Sequence, residues 1–265
     1  MTTQVLPLDD GDVRVLLDGP ADGPVLLLVH GTASSARSWD LLVPLLIGAH
    51  RVIRVDLLGH GGSAKPDDGD YEVPAHARRV GEVMDRLGVG SAVVVGHSTG
   101  GMVATALAER RPGLVTALAL LDTGPELGVF TGEEIPVGPE QWPHLTDGQL
   151  RGAMAHAFSR PGFRIPQFLV DELRGMTFHS LTATMRATRT YLAQQSIPSR
   201  LAALGKPLLV VFGEEDRRWR PASADGYRTV AGGRVVMLAG VGHSPMLEDP
   251  GRTAAPLLPF AAEHG

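Results

Sequence analysis

The chain has 265 residues, 43% hydrophobic and 20% charged, with a net charge of −5 at neutral pH and no cysteine. That composition supplies apolar surface for a sizeable core, excludes disulfides, thiolate metal sites and cysteine nucleophiles, and gives no electrostatic basis for binding nucleic acid. The N-terminal stretch MTTQVLPLDDGDVRVLLDG has no basic start followed by an apolar core, and no apolar run reaches the ~18 residues of a bilayer span, so a soluble, cytoplasmic protein with no membrane partner is expected.

In chain order, VRVLLD alternates as a half-buried strand. PVLLLVHG, RVIRVDLLGHG, AVVVG, VTALALLD, PLLVVFG and RVVML follow as short apolar runs bounded by punctuation, the pattern of strands covered on both faces. Between them, VPAHARRVGEVMDRLG places Val73, Ala77, Val80, Met84 and Leu87 on one helical stripe. TGGMVATALAERRPG and PGRTAAPLLPFAAEHG are helical apart from their glycines and prolines. Such alternation predicts an α/β fold, a mostly parallel central sheet flanked by helices and joined by right-handed crossovers. The alternation stops between Gly124 and Lys206, where helix-like patterns continue without a convincing strand and are too apolar to stay solvated. Residues 124–205 are therefore expected to form a helical insertion in a core made of residues 1–123 and 206–265.

In SAVVVGHSTGG, four apolar strand residues run directly into Gly96-His97-Ser98-Thr99-Gly100, a G-x-S-x-G pentapeptide, with an Ala-rich helix behind it. A strand that turns at once into a helix strains its central residue and leaves no room for flanking side chains, which accounts for the glycines. Ser98 is thereby lifted above the sheet edge as a candidate nucleophile, with a helix N-terminus beneath whatever oxyanion forms. A serine needs a base. Of ten histidines, His243 lies in the Gly- and Pro-shaped loop LAGVGHSPMLEDP after RVVML, at the carboxyl edge that also carries Ser98. The base in turn needs an orienting carboxylate. Asp216 in GEEDRRWRP and Asp122 after VTALALL both end strands; the framing of Asp216 by Gly213 and Pro221 favours it. Arg217, Arg218 and Arg220 beside it read as a solvated charge run or as a selector of anionic substrates.

The motif set resembles the α/β-hydrolase fold family over roughly residues 5–123 and 206–262, in its serine-nucleophile branch. HGTASSARSW resembles the family's His-Gly loop after the third strand, and DLLGHGGS its D-x-x-G-x-G-x-S turn. The resemblance implies that the backbone N–H groups of Thr32 and Thr99 form an oxyanion hole, and that residues 124–205 form a lid after the sixth strand. A serine at position 98 separates the chain from the relatives that attack with aspartate. The implied activity is hydrolysis of a small to medium, largely apolar ester or lactone by Ser98, Asp216 and His243. C–C bond hydrolases of diketones, thioesterases and perhydrolases share the triad, and a small-molecule receptor or carrier shares the fold. No cofactor and no metal is implied, and the expected partner is a small-molecule substrate. The apolar residues of the insertion should roof the site, with Trp142, Phe158 and Phe178 as candidate pocket residues.

Overall fold

The computed structural model describes residues 1–132 and 137–265. Residues 133–136 of the expected insertion lie outside the described residues. Eight strands form one sheet in the order β1-β2-β4-β3-β5-β6-β7-β8: β1 (Thr2–Leu6), β2 (Val13–Asp18), β3 (Val25–Val29), β4 (Arg51–Val55), β5 (Ala92–His97), β6 (Val115–Leu121), β7 (Leu208–Gly213) and β8 (Arg234–Leu238). β1 and β2 pair antiparallel, β2 joins β4 antiparallel, and every pairing from β4 to β8 is parallel. The α/β architecture is the expected one. The sequence pattern does not announce β1, because TTQVL forms an exposed edge strand without an apolar run.

The central strands divide their side chains between two faces, as the twofold period of a strand requires. Leu27, Val29, Val94, Leu118, Leu120 and Val210 enter one core with α2 (Val73–Arg86) and α3 (Thr99–Arg110). Leu26, Leu28, Val93, Val95, Leu209 and Val211 enter the other, with α1 (Val43–Leu46), α8 (Pro245–Glu248) and α9 (Pro250–His264). Burying each of these side chains contributes about 1.5–3 kcal/mol, so the sheet is a stiff platform for whatever stands on its carboxyl edge.

Between β6 and β7 lie α4 (Asp147–Met154), α5 (Gln167–Arg174), α6 (Phe178–Gln194) and α7 (Ile197–Leu204). Thr146 starts α4 with a reciprocal capping box to Gln149, and Thr177 and Ser196 cap α6 and α7. Trp142, Leu145, Leu150, Val170, Leu173, Met176 and Leu181 form a small core within the segment. Ile197 and Leu201 of α7, and Tyr191 and Leu192 of α6, instead join the main core beside α3. The segment is thus anchored to the sheet through its C-terminal part.

Candidate active site

Among the described residues three non-glycine residues have positive φ: Ala33 (58°), Ser98 (51°) and Asp122 (44°). Each follows the end of a strand, β3, β5 or β6, and these are neighbours in the sheet. Such conformations cost on the order of 1–3 kcal/mol each and are held here by close packing. A Cβ on Gly100 would sit 2.1 Å from the Val29 carbonyl oxygen, and one on Gly101 would sit 2.0 Å from the Thr123 hydroxyl. The two glycines let α3 press against β3 and the end of β6, which presents Ser98 at the sharp turn.

His243 Nδ1 lies 2.8 Å from Asp216 Oδ2, and both side chains are buried. Asp216 Oδ1 accepts the N–H groups of Arg218 at 2.6 Å and Trp219 at 3.2 Å. Burial pushes the Asp216 carboxyl up, but the His243 charge and hydrogen bond together with the Arg218 N–H outweigh it, and its pKa falls below the ordinary 3.8. An ionised Asp216 accepts a hydrogen bond from His243 Nδ1 and fixes the orientation of the ring.

Ser98, His243, Thr32 and Thr99 line one cavity. The Thr32 and Thr99 hydroxyls are 2.9 Å apart, and Thr99 continues to Thr188 on α6 at 3.2 Å, so a hydroxyl chain links the two loops to the helical segment. Thr99 opens α3, where the first N–H groups have no helical acceptor. His30 Nδ1 donates to the Gly31 carbonyl at 2.8 Å while its Nε2 accepts the Leu57 N–H at 3.0 Å, which fixes the loop that carries Thr32. Asp56 pins the same loop by accepting the Ala36 N–H at 2.7 Å, and also takes Arg14 and the Gly62 N–H.

Two supporting residues carried no sequence signal. His97 Nε2 donates to the His243 carbonyl at 2.7 Å; burial, then the His243 charge, lowers its pKa to about 3, so it serves as a neutral strut. Glu248, buried on α8, accepts the N–H groups of Gly242 at 3.1 Å and Ser244 at 3.2 Å, which flank His243. Its second oxygen accepts those of Ser159 at 2.8 Å and Arg160 at 2.6 Å from the helical segment. A glutamate five residues beyond the histidine is the only local trace, and that spacing alone singles out no role.

Phe158 lines the cavity with Met154, Leu169, Leu173 and Met185, and stacks on Phe163 at 4.8 Å. Trp142 and Phe178 are not among the lining residues. Trp142 is buried, donates its indole N–H to the Met176 carbonyl at 2.9 Å and packs 6.3 Å from the Phe178 ring. These two side chains therefore build the segment's own core, because an indole needs a partner for its N–H and finds it inside. The space open to the centre of a water molecule is about 120 Å³, enough for several waters or a small apolar group.

Among the described residues, Asp122, Asp216 and His243 form a grouping with metal-ligand spacing, all donor atoms within 4.8 Å of one another. Asp216 already spends both oxygens on His243 and two N–H groups. Burial raises the Asp122 pKa well above 3.8, reinforced by the Asp216 charge. The set is that of a hydrogen-bonded carboxylate–imidazole pair with a second carboxyl, pushed toward its protonated form, beside it. No helix among the described residues is long and apolar enough to cross a membrane.

A parallel sheet with an antiparallel edge, a serine elbow after β5 and a carboxylate–imidazole pair after β7 and β8 define an α/β domain of hydrolase type. The sequence pattern described as the Alpha/beta hydrolase family matches residues 26–255, and the chain belongs to that family. It is 28% identical to Lipase 3 of Moraxella sp. (strain TA144) over 92% of this chain and 79% of that one. It is 26% identical to a Bacillus subtilis (strain 168) protein provisionally named 2-succinyl-6-hydroxy-2,4-cyclohexadiene-1-carboxylate synthase, over 94% and 95%. Among solved structures, the N-acyl homoserine lactonase AidH superposes with a TM-score of 0.78 at 24% identity, over 98% of this chain and 96% of that one. The meta-cleavage product hydrolase CumD of Pseudomonas fluorescens IP01 superposes with a TM-score of 0.82 at 19% identity, over 96% of each.

Proposed function

We propose that the protein is a serine hydrolase that cleaves small to medium, largely apolar esters or lactones through an acyl-enzyme. The observation that carries this reading is the 2.8 Å His243–Asp216 hydrogen bond beside a cavity that Ser98 enters from its strained elbow. Ser98 Oγ bonds to the carbonyl carbon as its proton passes to His243 Nε2. The N–H groups of Thr32 and Thr99 hold the oxyanion, the proton moves on to the leaving oxygen, and the C–O bond breaks. Water, deprotonated by His243, then releases the acid and restores Ser98. The helical segment acts as the lid: Met154, Phe158, Leu169 and Leu173 give the cavity an apolar wall suited to alkyl or ring substituents.

The test is intact-protein mass spectrometry after treatment with a fluorophosphonate, followed by a panel of p-nitrophenyl esters, lactones and thioesters. One adduct that disappears in Ser98→Ala, with turnover of apolar esters or lactones, is the expected result. No adduct under conditions that label control hydrolases would overturn the mechanism. Labelling without turnover of anything in the panel would favour the receptor or carrier reading over an ester or lactone hydrolase.

A further inference from the structure

Arg218 stands two residues beyond Asp216 and lines the same cavity as Ser98 and His243. Its neighbours Arg217 and Arg220 are exposed, whereas Arg218 is half-buried with its guanidinium carbon 5.8 Å from the Phe130 ring, another lining residue. The backbone fixes this placement. The Arg218 carbonyl accepts the N–H groups of Thr131 at 2.8 Å and Gly132 at 3.2 Å, and Phe130 bridges Trp219 as a short antiparallel pair.

Arg218 combines this cavity position with the lack of an ion-pair partner among the described residues. Arg14 pairs with Asp56, Arg54 with Asp18 and Asp40, Arg79 with Asp10, and Arg200 with Glu109. Among the described residues no carboxylate forms an ion pair with the Arg218 guanidinium; the hydrogen bonds of Arg218 are those of its backbone. Burial lowers its pKa and the Asp216 charge raises it, but both Asp216 oxygens are occupied by His243, the Arg218 N–H and the Trp219 N–H. A half-buried guanidinium without a carboxylate partner is open to one brought by a ligand in the cavity, and its planar fork suits that group.

We propose that Arg218 makes this cavity selective for substrates that carry a carboxylate in addition to the scissile carbonyl, an assignment that rests on the serine-hydrolase reading above. The carboxylate meets the guanidinium beside Phe130, and the methylene chain between carboxylate and carbonyl lies along the apolar wall.

The experiment compares matched p-nitrophenyl esters: the mono-esters of adipic and pimelic acid against hexanoate and heptanoate, with background hydrolysis subtracted. In the wild type, kcat/KM should favour at least one carboxylated ester over its neutral match by roughly tenfold or more, the range of a charge-assisted hydrogen bond. In Arg218→Gln that ratio should fall by a similar factor, and Arg218→Lys should restore part of it. A wild-type ratio at or below one at both chain lengths overturns the proposal. So does an unchanged ratio in Arg218→Gln with both rates reduced, which would make Arg218 a support for Asp216 only. If neither ester class is turned over, the hydrolase reading is left to the fluorophosphonate test above. Calorimetric titration of adipate and hexanoate then decides the anion site: adipate binding that weakens in Arg218→Gln sustains it, and binding equal in the two proteins overturns it.

Discussion

A carboxyl oxygen of Asp122 lies within 4.8 Å of one on Asp216, and both groups are buried beside His243. Asp122 Oδ1 accepts the Gly213 N–H at 2.9 Å. Two buried carboxyl groups this close do not share the same charge state. Burial, then the Asp216 charge, raises the Asp122 pKa, while His243 and the Arg218 N–H more than offset the effect of burial on Asp216 and lower its pKa. The site favours the charged form of Asp216 and the protonated form of Asp122.

Asp216→Asn should lower kcat by up to roughly 10⁴ with the fold retained, as loss of an orienting carboxylate does in the serine protease template. Asp122→Asn should change kcat little, because an amide keeps the acceptor for Gly213 and resembles the protonated acid. Steady-state kinetics on the two variants checks this, and the reverse ranking would make Asp122 the orienting acid.

The same pair sets a pH dependence of stability. A group whose folded pKa is raised stabilises fully below its ordinary value of 3.8, and that contribution is lost as pH rises toward the folded value. Removing the group should therefore help more at higher pH. The denaturant midpoint of Asp122→Asn, relative to wild type, should rise between pH 4 and pH 7; a difference that is flat or falling with pH would sink the assignment.

Glu248 holds N–H groups from the His243 loop and from Ser159 and Arg160. Glu248→Gln turns one acceptor oxygen into a donor that faces these N–H groups. Stability should drop by about 1–3 kcal/mol, and kcat should fall more than KM rises as the imidazole loses its fixed loop. Urea denaturation with kinetics tests this; an unchanged kcat would reduce Glu248 to a helix constituent.

Phe158 lines the cavity, whereas Trp142 packs away from it. Phe158→Ala should shift chain-length or ring-size preference in an ester and lactone panel. Trp142→Ala should instead cost about 3–5 kcal/mol, the range for a buried aromatic, with the preference order retained. Identical preference profiles in wild type and Phe158→Ala would remove the segment from substrate selection.

The sheet was legible because buried strands are runs of Val, Leu and Ile between glycines, and α2 because its stripe follows the helical period. β1 was not, since an edge strand with polar residues such as Thr2, Thr3 and Gln4 has no distinctive pattern. Ser98, His243 and Asp216 stood out through the glycines and prolines that shape their turns, and the structure brings Asp216 and His243 into contact. Trp142 and Phe178 looked like pocket residues by size alone, and size does not say which face of a helix turns inward. His97 and Glu248 act through contacts 146 and up to 89 residues apart in the chain, which local pattern does not encode. Arg218 differed from Arg217 and Arg220 only once the strand end had turned it toward Phe130.

Ala33, Ser98 and Asp122 store backbone strain at three adjacent strand ends, opposed by the packing of α3 against the sheet and by hydrogen bonds from the Ser98 and Asp122 N–H groups to the Leu121 and Val211 carbonyls. That arrangement orders the losses during unfolding. Loosening the contacts around Gly100 and Gly101 lets the elbow relax to ordinary dihedrals, and the relaxed turn no longer presents Ser98 while both cores still hold the helices. Activity in a urea titration should therefore vanish ahead of the far-ultraviolet helical signal, and the enzyme's working range ends where the elbow relaxes, short of where the domain melts.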